Sequence, residues 1–107
     1  MYLVRLDPVK GAEVGKLRPV VVLTDQTLLD MDPPHVFICP LSGRSNPAYQ
    51  ALHLLLPARD SLKVNSYALV EHCRAISIRR LQSERLAKLE IDELNEIIHR
   101  LLRLVGW

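Results

Sequence analysis

Aromatic residues are scarce in this chain: one Trp, one Phe and three Tyr in 107 residues. A ligand mode built on a long row of stacked rings is therefore excluded. Cysteine is scarce too, with Cys39 and Cys73 alone and no Cys-x-x-Cys or His-x-x-x-His spacing. Two thiols do not make a disulfide framework, and they make a poor zinc site even with His35 and His72. We expect both thiols reduced, as in a cytoplasmic protein, with a Cys39–Cys73 disulfide as the minor alternative. No apolar run approaches the ~18 residues of a membrane span, and no signal peptide precedes the first strand. Neither sign of charge dominates: 14 basic residues against 12 acidic leave a net charge of +2. That is too little to mark a nucleic-acid binder by charge alone.

What is present is enough for one domain with one core, since apolar residues make up 49% of the chain. Charge is unevenly spread: residues 1–80 hold ten Lys/Arg against seven Asp/Glu, and residues 81–107 hold four against five. An anion-binding surface therefore belongs to the first part. Ten of the 14 basic residues are Arg, whose planar fork suits phosphate.

Strands are predicted at Tyr2–Leu6, Arg18–Thr24, His35–Leu41, Ala51–Pro57, Ser66–Cys73 and Arg74–Ile78, each β-rich and bounded by Gly, Pro or polar turns. Asp7–Leu17 is an eleven-residue loop with Pro8, Gly11 and Gly15. Asp25–Asp30 is a short helical turn ended by Pro33 and Pro34. Ile91, Leu94, Ile97, Ile98, Leu101, Leu102 and Val105 recur at helical spacing, with Asp92 and Glu93 in the first turn. Short strands followed by one helix predict a small, strongly bent sheet or barrel with the helix packed on it.

The stretch "GAEVGKLRPVVVLT" (Gly11–Thr24) holds most of the chemistry. Gly11 and Gly15 let backbone approach a ligand. Lys10, Lys16 and Arg18 bring positive charge, and Pro19 fixes the backbone from which the Arg18 guanidinium leaves. Ser42 follows strand three in "CPLSG", where a hydroxyl at a strand end can donate to an anion or simply close a turn. Glu71 in "ALVEHCR" falls on the face of Tyr67, Leu69 and Cys73 if the strand runs that far. A carboxylate there needs a partner, which Arg18 or Arg74 could supply. His72 adjoins it, and Arg74, Arg79 and Arg80 form either a basic rim or ordinary solvated charges. The four histidines are scattered, with no acid–base pair and no Ser-His-Asp constellation readable.

Three blocks in order, "LVRLDPVKGAEVGKLRPVVVLTDQ", "CPLSG" and "SYALVEHCRAISIRRL", followed by the amphipathic helix, resemble the MazF/PemK family of toxin endoribonucleases. The resemblance covers about residues 2–105. It implies an SH3-like, barrel-like bent antiparallel sheet with a C-terminal helix, the CcdB/MazF-type toxin fold, in one domain over 1–107 and as a homodimer. It implies sequence-specific, metal-independent cleavage of single-stranded RNA through a 2′,3′-cyclic phosphate, with no cofactor. It also implies a cognate antitoxin that covers the RNA groove. Carried over by position, Arg18, Ser42 and Glu71 are the catalytic candidates. Arg18 would stabilise the phosphorane, Ser42 would hydrogen-bond a non-bridging oxygen, and Glu71 or Glu13 would be the base or orient Arg18. Lys10, Glu13, Lys16, His72, Arg74 and Arg79 would hold the substrate, with Tyr67 and Tyr49 available for stacking.

The chain departs from the family pattern in three places. It begins inside the first strand, so that strand is short or the start lies upstream. Ser42 stands where the family usually has Thr, and Leu69 where some members have Arg. Two rivals share the fold: a catalytically inactive RNA- or antitoxin-binding barrel, and a gyrase poison. Gyrase poisons of this type end in Trp-Gly-Ile, whereas this chain ends Val105-Gly106-Trp107.

Overall fold

The computed structural model describes residues 1–6 and 17–106, with Ser83 as backbone alone. Seven strands form one antiparallel sheet. They are β1 (Tyr2–Arg5), β2 (Leu17–Val22), β3 (His35–Ser42), β4 (His53–Leu56), β5 (Ser66–Leu69), β6 (Arg74–Ser77) and β7 (Leu81–Arg85). Their order is β4-β5-β3-β2-β1-β7, with β6 also paired to β3. The two end strands β4 and β7 do not pair with each other, so the bent sheet stays open and the expected barrel is not closed.

β-branched residues build the central strands and alternate between two cores. Val20, Val36 and Ile38 turn to one face with Val4, Leu6 and Ile76. Val21, Cys39 and Leu41 turn to the other with Leu56, Ala68 and Val70, under Ile97 of the C-terminal helix. β3 is the hub. It pairs with β6 from His35 to Ile38, with β2 from Ile38 to Pro40, and with β5 at Leu41 and Ser42.

Among the described residues, two α-helices pack with the sheet: α1 (Gln26–Leu29) and α2 (Ile91–Leu104). The Asp25 carboxylate caps α1 by accepting from the Thr27 N–H at 3.0 Å. Glu90 and Glu93 form a capping box on α2, in which the Glu90 N–H donates to Glu93 at 3.0 Å. Glu93 is also gripped by Arg59 through two contacts of 2.5 Å, which ties the start of α2 to the β4–β5 loop.

Three expectations change in detail. β7 lies where no strand was expected: "LQSER" carries no apolar alternation, yet it adds to β1 as a charged edge strand. Strand five ends at Leu69, and Val70–His72 form a turn of 3-10 helix before β6 begins. The apolar face of α2 is broader than the chain's own core: Ile97 is fully buried, while Ile91, Ile98, Leu102 and Val105 are exposed. No described helix is long and apolar enough to cross a membrane.

Candidate functional site

Strand register gathers the candidate residues. β2 and β3 pair Val20 with Pro40 and Val21 with Cys39. Carried two residues further, that register sets Arg18 level with Ser42. On its other side Ser42 pairs with Tyr67, and Tyr67 with Leu55 of β4. Residues opposite one another in an antiparallel ladder project to the same side. Arg18, Ser42, Tyr67 and Leu55 thus form a row across four strands, on the face opposite Ile97. Arg74 pairs with Ile38 and projects from this face as well.

Arg18 is half-buried, and Leu17 before it is exposed. Ser42 is half-buried at the last residue of β3, where its Oγ accepts from the Arg44 N–H at 3.2 Å. One lone pair is thereby used and the hydroxyl proton stays available to donate.

Glu71 belongs to the 3-10 turn, off the ladder, so strand alternation does not place it. Its carboxylate meets a residue that the sequence did not single out. His53 Nε2 lies 2.7 Å from Glu71 Oε2 and 2.9 Å from Oε1. His53 Nδ1 lies 2.7 Å from Ser45 Oγ. A carboxylate only accepts, so Nε2 carries the proton of that contact, and Ser45 Oγ partners the ring at Nδ1. The His53 side chain is 2% exposed and that of Glu71 15%, so the imidazole anchors a carboxylate that still reaches solvent. Arg100 of α2 fixes the backbone here, donating to the His53 carbonyl at 2.6 Å and the Ala51 carbonyl at 3.2 Å. The signal for His53 was a single polar residue opening the apolar strand "HLLL": a buried imidazole needs partners on both nitrogens.

Among the other candidates, His72 is half-buried at the end of the 3-10 turn. Arg79 is exposed in the next one, Ile78–Arg80, where its N–H donates to Ser77 Oγ at 3.3 Å. Tyr49 is 46% exposed, and its ring centroid is 6.3 Å from that of His53. Lys10, Glu13 and Lys16 lie outside the described residues. Among the described residues, no group of three or more His, Cys, Asp or Glu could hold a metal ion. A separate cleft runs between Met1, Val21, Gln26, Arg85 and Glu90, but none of the catalytic candidates line it.

The register thus sets Arg18 level with Ser42 on one face, and His53 holds the Glu71 carboxylate. The family model of the PemK-like, MazF-like toxins of type II toxin–antitoxin systems matches residues 1–105. The chain belongs to this family. It is accordingly a MazF-like toxin of the endoribonuclease class. The endoribonuclease MazF of Staphylococcus saprophyticus is 32% identical over 98 residues, which span 91% of this chain and 80% of that protein. The crystal structure of MazF from Deinococcus radiodurans is 30% identical with a TM-score of 0.80, over 99% of this chain and 94% of that one. A MazE–MazF crystal structure from the same organism is 27% identical with a TM-score of 0.69, over 98% and 92%. The open sheet and C-terminal helix are thus those of MazF.

Proposed function

We propose that this toxin, one domain over residues 1–107, cuts single-stranded RNA at short sequences without a metal ion, using the RNA's own 2′-OH as nucleophile. The product carries a 2′,3′-cyclic phosphate and leaves a 5′-OH end. Three tasks must be met: removing the 2′-OH proton, stabilising the phosphorane and protonating the leaving oxygen. Arg18 holds the charged non-bridging oxygens with its planar fork and stands ready to protonate the leaving group. Ser42 donates its free hydroxyl proton to a second oxygen. Glu71 takes the 2′-OH proton or orients Arg18, with Glu13 as its alternate. His72, Arg74, Arg79, Lys10 and Lys16 hold flanking phosphates, and Tyr67 and Tyr49 are placed to stack splayed bases.

The observation that carries this reading is the row across the sheet, in which Arg18 and Ser42 stand level on one face beside Tyr67. Metal independence follows from the family resemblance, and so do the cytoplasmic setting and a cognate antitoxin, a MazE-like protein, over the RNA face. The homodimer is supported by Ile98, Leu102 and Leu104 of α2, apolar side chains that the chain's own core leaves exposed.

The test is incubation of the full chain and its Arg18→Ala variant with end-labelled single-stranded RNA in EDTA. Discrete cuts bearing 2′,3′-cyclic phosphate, lost in the variant, are expected. No cuts on several long transcripts would overturn the reading, and inhibition of DNA supercoiling in their place would favour the gyrase rival.

A further inference from the structure

The two cysteines stand far apart in sequence but meet in the sheet. β6 pairs with β3 from His35↔Ser77 to Ile38↔Arg74. One more step along that register sets Cys39 opposite Cys73. Cross-strand neighbours in an antiparallel pair have Cα atoms ~4.5–5.5 Å apart, inside the range a disulfide spans. Cys39 is fully buried in the core cluster with Val21, Leu41 and Val70, and Cys73 packs against that cluster while remaining half-buried.

The two thiols are not equivalent. They share a hydrogen bond, which together with burial pushes the Cys39 thiol up; the same bond holds the Cys73 thiol down against the opposing effect of burial. Cys73 is the more exposed sulfur and the readier thiolate. Cys39 is enclosed and stands directly behind it.

We propose that Cys39 and Cys73 form a redox-modification site that a hydroperoxide closes into an intramolecular disulfide. The Cys73 thiolate attacks the terminal peroxide oxygen and the O–O bond breaks. The released alkoxide or hydroxide takes a proton, and Cys73 is left as a sulfenic acid. The Cys39 sulfur then attacks the Cys73 sulfur and the S–O bond breaks. The hydroxyl departs as water with the Cys39 proton. Two thiols are oxidised by two electrons and one peroxide is reduced by two.

The bond would have a consequence at the nuclease site, and this half rests on the function proposed above. Cys73 follows Glu71 by two residues and precedes Arg74 by one. Drawing Cys73 from thiol contact to bond length shifts the 3-10 turn that carries Glu71, and so disturbs the Glu71–His53 contact. Displacing a catalytic group by about 1 Å costs on the order of 100-fold in rate. Oxidation therefore switches cleavage down, and reduction restores it.

The experiment treats the reduced full chain with hydrogen peroxide, blocks the remaining thiols with iodoacetamide and reads the intact mass. The parent loses two hydrogens and both alkylation sites while remaining non-crosslinked on a non-reducing gel. Cys39→Ala, which leaves Cys73 without its partner, instead accumulates a sulfenic acid that dimedone traps. Cys73→Ser leaves Cys39 unoxidised. RNA cleavage by the parent falls at least tenfold and returns with dithiothreitol, whereas Cys73→Ser, confirmed folded by circular dichroism, is unaffected by peroxide. Two alkylatable thiols after peroxide, or a bond between two chains, would overturn the site. A disulfide that forms without changing cleavage would overturn the switch. A parent that cuts no RNA even when reduced would count against the nuclease reading, with the mass result still deciding the site.

Discussion

His53 Nε2 and Glu71 Oε2 are 2.7 Å apart, which joins the first residue of β4 to the 3-10 turn that follows β5. The imidazole is buried and the carboxylate is not. Position is therefore imposed from His53 on Glu71, and Ser45 fixes the ring in turn.

Glu71→Gln is expected to lower kcat for RNA cleavage by ~100-fold or more, the usual worth of a positioned acid–base group. His53→Gln should lower kcat by about tenfold with little change in KM, because His53 acts through Glu71. The double variant should be no slower than Glu71→Gln alone, the coupling that neighbours in one network show. Single-turnover kinetics on a short RNA would read all three. Multiplying losses would place His53 outside the Glu71 network.

Arg18→Ala should cost on the order of 100- to 1,000-fold in cleavage, as loss of a transition-state donor does. Arg18→Lys should recover little, since an ammonium cannot replace the two-pronged fork. Arg18 is half-exposed, so the urea midpoint should shift by no more than ~0.5 kcal/mol equivalent. Ser42→Ala should cost about tenfold, the worth of one hydrogen bond, and Ser42→Thr should keep or improve the rate.

The Arg59 hydrogen bond, followed by the Glu90 backbone contact, holds the Glu93 carboxyl below its ordinary 4.5. A carboxyl whose folded value is depressed adds stability above its unfolded value, and that stability is lost as pH falls through the folded value. The parent should thus lose stability progressively below about pH 4.5, and Glu93→Gln should flatten that decline. Both partners keep about a fifth of their side-chain surface in solvent, so the contribution is about 1 kcal/mol or less. Urea melts from pH 7 to pH 3 would measure it. An unchanged slope in the variant would remove Glu93 from the acid response.

Ile97 and Ile98 are neighbours with opposite fates. Ile97 is 0% exposed and Ile98 is 41% exposed. Ile97→Ala should cost ~2–5 kcal/mol through the cavity it opens. Ile98→Asp should leave a monomer's stability within ~0.5 kcal/mol but shift the light-scattering mass from dimer toward monomer. If Ile98→Asp leaves the mass at that of a dimer, α2 does not face the second copy.

The contrast between Ile97 and Ile98 also marks how far the sequence could be read. Periodicity located α2 to within a residue, and the valine and isoleucine runs located β2 and β3, because those patterns record burial directly. β7 escaped because an edge strand needs only its backbone to pair, and Gln82, Glu84 and Arg85 are exposed polar residues that show no apolar alternation. Arg18 and Ser42 were singled out through the family blocks, yet their placement level with one another depends on register, which no single strand encodes. His53 was hidden for a different reason: an imidazole in an apolar strand is explained only by the partners that close around it, and Ser45 and Glu71 come from separate segments.

β1 pairs with β7 as well as with β2, matching Tyr2 to Arg85. The first strand of the chain therefore waits for nearly the last. At ~5–20 residues per second, a ribosome takes about 4–17 seconds to deliver the residues between them. Until then β1 has an open edge and the sheet is one strand short. A protein with so many non-local pairings also folds slowly once complete. The toxin thus reaches its working shape only once β7 has been made, a built-in delay during which a partner already present could meet it first.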